Sequence, residues 1–492
     1  MINRQLLIAS SLSLAVTLVV GPLNPTKPAA NSASAQPGAR SGQSTNDGAL
    51  ASVRRSDDSS RGADKRLLRL STAEHLRRAN VYMTNRAFEE AREHWRAFID
   101  YYPQEPRVPE ALLGIGRSYL QSRGNAEALS TFDRLVRDYG STKEGREGLN
   151  FSATALLRMG KPSDAADRYA QYVDRFPQGE RVDTAHLNII DTLREAGRSQ
   201  EAIKWIGRTR QRFAGTPTET NALFARLRLD VAEADWQQAV VTADELSQKR
   251  FQKGVLTTPS EAAYLKAYSL DRSGKRREAI AAYLSIPDAP GAYYGWLAAE
   301  RLDGLAEGTS RNLVKERNEL IRSQIADVAA QYPAPYRQAI LKTARARNLD
   351  PRFILAIIRQ ESVFRPTAKS PAGARGLLQL TIDAARKYAP GAGLSSLGEN
   401  ELYRPETSIL VGGEYLAELA KMFPNMLEAV AASYNGGEDN VARWVKRAKH
   451  KDPGVFTAEV GFEETKGYVQ KVMANYRAYR QLYTADLIRK QL

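Results

Sequence analysis

The sequence runs to 492 residues, 42% hydrophobic and 26% charged, with a formal net charge of +15. That length allows about two to four domains, and that hydrophobic fraction excludes a chain disordered throughout. Cysteine is absent and only four scattered histidines occur, His75, His94, His186 and His450, which excludes disulfides, thiolate metal sites, a cysteine nucleophile and a lipoprotein cysteine, and leaves no basis for a His-rich metal site.

The positive charge suits an anionic partner or serves solubility alone. Nucleic acid, anionic lipid and the carboxylate-bearing peptides of a cell wall all meet the first condition. Arg4 precedes an uncharged apolar run from Leu6 to Gly21, roughly 24 Å long as a helix and short for a membrane span. Ala33-Ser34-Ala35 then fits a signal-peptidase site. Residues 1–35 therefore read as an export signal, with an uncleaved inner-membrane anchor as the alternative. Export makes a nucleic-acid partner unexpected. Residues 36–65 are poor in large apolar side chains and predict a disordered tether.

A repeat fills residues 66–331. Ala91, Ala128, Ala165, Ala202 and Ala239 are each 37 residues apart. Trp95, Phe132, Tyr169 and Ile206 keep the same step, as do Tyr102, Tyr139, Phe176 and Phe213. Within a unit these positions share one helical face, and Pro or Gly breaks follow. Each unit predicts two amphipathic helices, a tetratricopeptide-like hairpin that stacks into an α-solenoid. The register drifts to 40 residues between Ala239 and Ala279. The aromatics keep a core register, which favours packing over a ligand groove.

The composition changes near Tyr332. Asp350 and Pro351 open a helix as N-cap and first residue. Ile354, Ile357, Ile358 and Glu361 follow at i, i+3, i+4 and i+7, so Glu361 falls on the apolar face. A carboxyl walled by Ile358, Val363 and Phe364 would be desolvated and poised as a general acid. Spacing alone favours an edge glutamate that snorkels to solvent or pairs with Arg359 or Arg365. Ser370 to Leu380 is a glycine-bearing loop in which Gln379 could present an amide. Leu427 to Tyr434 is an apolar helix ending in Asn435-Gly436-Gly437, and Glu463 to Val469 opens a last helix whose acidic start suits the helix dipole.

In order, these segments resemble the catalytic domain of soluble lytic murein transglycosylases, which is similar to goose-type lysozyme in fold. The resemblance spans about Tyr332 to Tyr479. The stretch from Ala292 to Leu302 also looks like the segment preceding that domain in long periplasmic members, which carry a helical superhelix. The resemblance implies a mainly α chain: a tetratricopeptide-like solenoid, then a lysozyme-like, predominantly helical catalytic domain over 332–492. It implies Glu361 as catalytic acid/base and Ser362, Gln379, Tyr434, Asn435 and Glu464 as cleft residues. Leu378 stands for a common methionine, Lys466 for a common arginine, and Ser433, Gly436 and Gly437 vary the flanks of the tyrosine-asparagine pair.

The implied reaction cuts the MurNAc–GlcNAc bond of peptidoglycan without water, using no metal or cofactor. Glycan strands are the implied substrate, the periplasm the implied location, and the repeats offer a surface for cell-envelope proteins. A lysozyme-type hydrolase and a non-catalytic scaffold are the competing readings. No Asp lies between Glu361 and Asp383 to activate a water, which favours the lyase.

Overall fold

A computed structural model of the chain describes residues 44–370 and 373–491. The export segment expected over 1–35 lies outside them. The described residues form two compact units, 44–214 and 215–491. As the periodicities require, both are helical, and pairing outside helices is limited to isolated bridges among these residues. No helix among them is long and apolar enough to cross a membrane.

The first unit contains α1 (Ser44–Asp58), α2 (Thr72–Thr84), α3 (Phe88–Tyr101), α4 (Val108–Gln121), α5 (Asn125–Tyr139), α6 (Lys143–Arg158), α7 (Pro162–Arg175), α8 (Val182–Glu195) and α9 (Ser199–Arg212). Consecutive pairs from α2 onward are the hairpins, and successive helices pack along the array. The register alanines Ala91, Ala128, Ala165 and Ala202 are fully buried. The aromatics fill the layer between helices: a Cβ on Gly114 of α4 would lie 2.6 Å from the Trp95 ring, and one on Gly116 would lie 2.3 Å from Phe132. Bulk at one position is thus matched by glycine on the next helix, as close packing demands.

A further register appears only in the backbone. Arg86, Arg123, Gly160 and Gly197 close the hairpin turns with φ of 61°, 65°, 74° and 75°. They too are 37 residues apart. The left-handed turn costs a residue bearing a Cβ roughly 1–2 kcal/mol. A Cβ on Gly160 or Gly197 would meet nothing within 4 Å, so only backbone strain is at stake. Gly160→Ala and Gly197→Ala should each lower stability by about 1 kcal/mol, and Arg86→Gly should raise it slightly. Urea unfolding of the three variants checks this; equal midpoints would refute it.

The tether expected over 36–65 is corrected from residue 44 onward. α1 packs on α2, and its Asp57 is buried. Arg78 and Tyr82 donate to the Asp57 carboxylate, and His94 Nε2 lies 3.0 Å from Oδ2. Burial would raise the Asp57 pKa, but His94, Tyr82 and Arg78 together hold it down at about 2. The chain continues from His94 Nδ1 to His75 Nδ1 (3.2 Å), and the Leu70 N–H donates to His75 Nε2. That order lets each ring serve as one donor and one acceptor. One buried carboxylate therefore overrides a composition that reads as a linker.

The second unit contains α10 (Pro217–Ala232), α11 (Trp236–Ser247), α12 (Pro259–Arg272), α13 (Arg276–Leu284), α14 (Tyr293–Leu305), α15 (Thr309–Asp327), α16 (Arg337–Arg347), α17 (Pro351–Ser362), α18 (Ile382–Tyr388), α19 (Pro405–Met422), α20 (Leu427–Gly436), α21 (Glu438–Ala448), α22 (Pro453–Glu459) and α23 (Glu463–Leu482). Here Ala234 and Gly274 are the left-handed turn residues, and their 40-residue step matches the drift read from the sequence. One hydrophobic core runs without interruption from Leu223 to Leu487, through the boundary expected at 331/332. Helices α10, α12 and α14 pack on α22, and α14 and α15 pack on α23.

Buried ions fasten these layers. The Lys466 ammonium donates to Glu261 Oε1 (3.0 Å), the Leu256 carbonyl (3.2 Å) and the Ala458 carbonyl (3.3 Å). Its three donors meet three acceptors. Glu261 also accepts from Tyr294 and Thr257. Arg477 of α23 grips Asp288 with two parallel bonds of 2.6 and 2.8 Å. Arg301 and Tyr264 hold Asp452 ahead of α22.

Candidate active site

Asp350 caps α17 as expected, accepting from the Arg352 N–H at 2.9 Å, and Tyr476 of α23 donates to its other oxygen. Ile354, Ile357 and Ile358 are fully buried. The same face carries Glu361 into the seam between α17 and α23. Tyr468 of α23 donates to Glu361 Oε1 at 2.7 Å. Burial pushes the Glu361 pKa up to about 7, against the smaller opposing pull of the Tyr468 hydrogen bond. As a residue Glu361 keeps partial exposure at the seam, although its carboxyl is desolvated.

Glu428 is a useful contrast. Burial lifts it to about 7 as well. It is nevertheless sealed in the packing, 3.3 Å from the Tyr293 hydroxyl, which also meets Thr457 and the Pro453 carbonyl. A raised pKa alone does not mark an acid catalyst; access does.

Tyr434 is brought beside Glu361: burial, then the Glu361 charge, holds its phenol far above the ordinary value. Its hydroxyl donates to the Leu378 carbonyl at 2.5 Å, so toward a ligand it can only accept. Gln379 adjoins that carbonyl at φ 46°. Its amide nitrogen donates to the carbonyls of Ala368 (3.0 Å) and Gly376 (2.8 Å), which leaves its oxygen for a ligand donor. Gly376 is required there, since at φ 78° a Cβ would meet the Leu402 carbonyl at 1.9 Å. Asn435 accepts from Thr465 at 2.6 Å, tying α20 to the start of α23. Glu464 is exposed on the first turn of α23, one turn before Tyr468 on the same face.

Ser362 and Tyr434 are the expected site residues whose side chains lie buried. The Ser362 hydroxyl donates to the Ile358 carbonyl one turn back. Asp383 is exposed in the first turn of α18. The partner that sequence reasoning missed is Tyr468. Its only signal was its place four residues after Glu464 in the last motif.

Residues 338–456 match the family described as Transglycosylase SLT domain, and residues 76–141 and 152–215 match tetratricopeptide repeats. The chain carries an SLT domain behind tetratricopeptide repeats. Soluble lytic murein transglycosylase of Salmonella typhimurium is 30% identical over 203 residues, covering 36% of this chain and 31% of that protein. The Escherichia coli K12 protein of the same name is 30% identical over 212 residues, covering 38% and 32%. The chain thus spans about a quarter to a third of the length of the soluble lytic murein transglycosylases it matches. An inactive mutant of the lytic transglycosylase Slt from Pseudomonas aeruginosa shares the fold, with a TM-score of 0.50 and 18% identity over 83% of this chain and 80% of that one. The SLT domain includes Glu361, Ser362, Gln379, Tyr434 and Asn435, whereas Glu464 and Tyr468 follow the matched segment.

Removing the Tyr468 hydroxyl should raise the Glu361 pKa, because that hydrogen bond favours the carboxylate. The alkaline limb of kcat/KM in Tyr468→Phe should therefore move to higher pH, by about half a unit to one unit. A limb that stays in place, or moves down, would separate Tyr468 from the titrating group.

Proposed function

We propose that this protein is a periplasmic peptidoglycan lytic transglycosylase that leaves 1,6-anhydroMurNAc ends. The observation that carries the reading is Glu361: a carboxyl that desolvation raises to about 7 against the opposing hydrogen bond from Tyr468, with no charged neighbour among the described residues contributing to its shift. A glycosidase that lacks a second carboxylate can use the substrate's own N-acetyl group.

Protonated Glu361 gives its proton to the oxygen between MurNAc and GlcNAc as the bond to MurNAc C1 breaks. GlcNAc leaves as an alcohol carrying that proton. The 2-acetamido oxygen stabilises the cationic C1. The Glu361 carboxylate then takes the proton of the C6 hydroxyl of the same sugar as that oxygen bonds to C1. Glu361 ends protonated, and no water is consumed. The tethered hydroxyl competes well because its effective concentration exceeds that of a free nucleophile. The Gln379 oxygen can accept from an acetamido N–H or a sugar hydroxyl, and the Tyr434 oxygen can accept as well. Glu464, Asn435 and Ser362 sit around and beneath the seam that holds the acid.

Mass analysis of products from purified sacculi tests the reading. Released disaccharide-peptides should be lighter than lysozyme products by one water, resist borohydride reduction and carry no label from heavy-oxygen water. Reducing ends with incorporated label would assign a hydrolase instead.

A further inference from the structure

Glu261 stands in the first turn of α12, where the Thr258 cap accepts from its N–H. Its side chain is fully buried. One carboxylate oxygen accepts from Lys466 of α23 (3.0 Å) and Tyr294 of α14 (2.9 Å), and the other accepts from Thr257 (2.8 Å). Three elements thus fix the carboxylate, and it in turn holds the Lys466 ammonium, which lies 4.9 Å from the Phe224 ring centre. The other ions that act on Lys466 are Arg228 of α10 and Glu459 of α22, which pair with each other at 3.3 Å. Glu261 precedes the matched SLT segment, 338–456.

Two residues beyond Lys466 is Tyr468, the donor to Glu361. Gly467 separates them. A Cβ there would meet nothing within 4 Å, so packing does not call for glycine. Inside a helix, glycine leaves the backbone looser than alanine would. The turn that presents Tyr468 is therefore pliant at its middle and depends on its anchors. One is Thr465, which donates to Asn435 at 2.6 Å. The other is Lys466 on Glu261. The titratable groups that face Glu361 are phenols: Tyr468, and Tyr434 of α20, with Tyr415 of α19 behind it at 5.1 Å between ring centres. The behaviour of the acid thus follows from how dry the seam is and where Tyr468 stands.

We propose that Glu261 is a positioning residue for the acid: through Lys466 it fixes the first turn of α23, and that turn holds Tyr468 on Glu361 and keeps water out of the seam. The kinetic consequence rests on the peptidoglycan reading above. Burial is the larger influence on Glu361. Freeing the turn admits water, so the titration of Glu361 should fall toward the ordinary carboxyl range. That is the reverse of the shift expected for Tyr468→Phe, which loses the hydrogen bond while the seam stays dry.

Removing one partner strands the other's charge in the core, so the test removes both, as Glu261→Gln with Lys466→Met. In this double variant kcat on glycan strands should fall about ten- to a hundredfold with KM unchanged. The alkaline limb of kcat/KM should move down by about one unit. Lys466→Arg keeps the ion pair and should stay close to wild type in both respects. Adding Gly467→Ala to the double variant should restore part of kcat by stiffening the turn. Glu261→Asp keeps both charges one methylene short, and its limb should move the same way by less; it answers the question on a protein that retains the pair. Wild-type kcat and limb in these variants would overturn the proposal. So would a limb that moves up, the mark of a lost hydrogen bond in a seam still dry. A second readout needs no turnover: the pH at which Glu361 titrates, taken from the melting difference between each variant and the same variant carrying Glu361→Gln, should also move down. If wild type cuts no glycan, the enzymatic reading fails, while the melting difference still decides whether Glu261 governs the acid.

Discussion

Glu361→Gln should cut glycan strands about 10²–10⁴ times more slowly than wild type, since an amide cannot donate and recover a proton. The same variant should be the more stable protein at alkaline pH. Burial raises the Glu361 pKa from 4.5 to about 7. The folded state therefore binds that proton more tightly than the unfolded chain does, and wild type loses stability as pH rises from about 4.5 to 7. The loss is of the order of 1–3 kcal/mol. Glutamine has no proton to lose. Glu361→Gln should thus melt above wild type at pH 8 and show no such gain at pH 4. Wild-type turnover in the variant would remove Glu361 from the chemistry, and an identical difference in melting at both pH values would deny its desolvation.

A chain beginning at Gly215 should fold and cut soluble oligosaccharides, whereas one beginning at Val314 should not fold. The second cut removes Glu261 from Lys466, Asp288 from Arg477 and Arg301 from Asp452. Leaving one partner of a buried pair uncompensated costs about 3–5 kcal/mol, and three such losses are comparable to the whole stability of an ordinary domain, about 5–15 kcal/mol. It also strips Leu223, Tyr264, Tyr283 and Trp296 from the shared core. Circular dichroism and turnover of the two truncations decide the matter. A folded, active chain from Val314 onward would show that the ion anchors are dispensable. Within the intact protein, Glu261→Ala is the single substitution that isolates Lys466 in the same way, and it should lower the melting temperature sharply.

The helical architecture was legible because its signals are periodic. The alanine and aromatic registers at 37 residues, the Asp350 cap and the apolar stripe ending at Glu361 all rest on local spacing. What spacing could not carry is long-range pairing. The Lys466–Glu261 pair spans 205 residues and the Tyr468–Glu361 bond spans 107. Asp57 looks like one more acid in a polar stretch until His94 and Arg78 surround it. The motifs mark Tyr434 and Gln379 as cleft residues, but the donors of both go to loop carbonyls, one for the hydroxyl and two for the amide, a geometry no motif states. Ser362 shares its motif with Glu361 but, one residue on around the helix, turns inward.

On the function proposed here, the separation between Glu361 and Tyr468 bears on when the protein becomes dangerous to the cell that makes it. A chain leaving a ribosome or a secretion pore delivers α17 well before α23. Until α23 docks, Glu361 has neither its phenol nor the walls that dry it. Such a carboxyl is solvated, titrates in the ordinary range and is ionised at neutral pH, so it has no proton to give. On the function proposed here, nascent or prematurely terminated chains are inert, and competence arrives with the helix that closes the core.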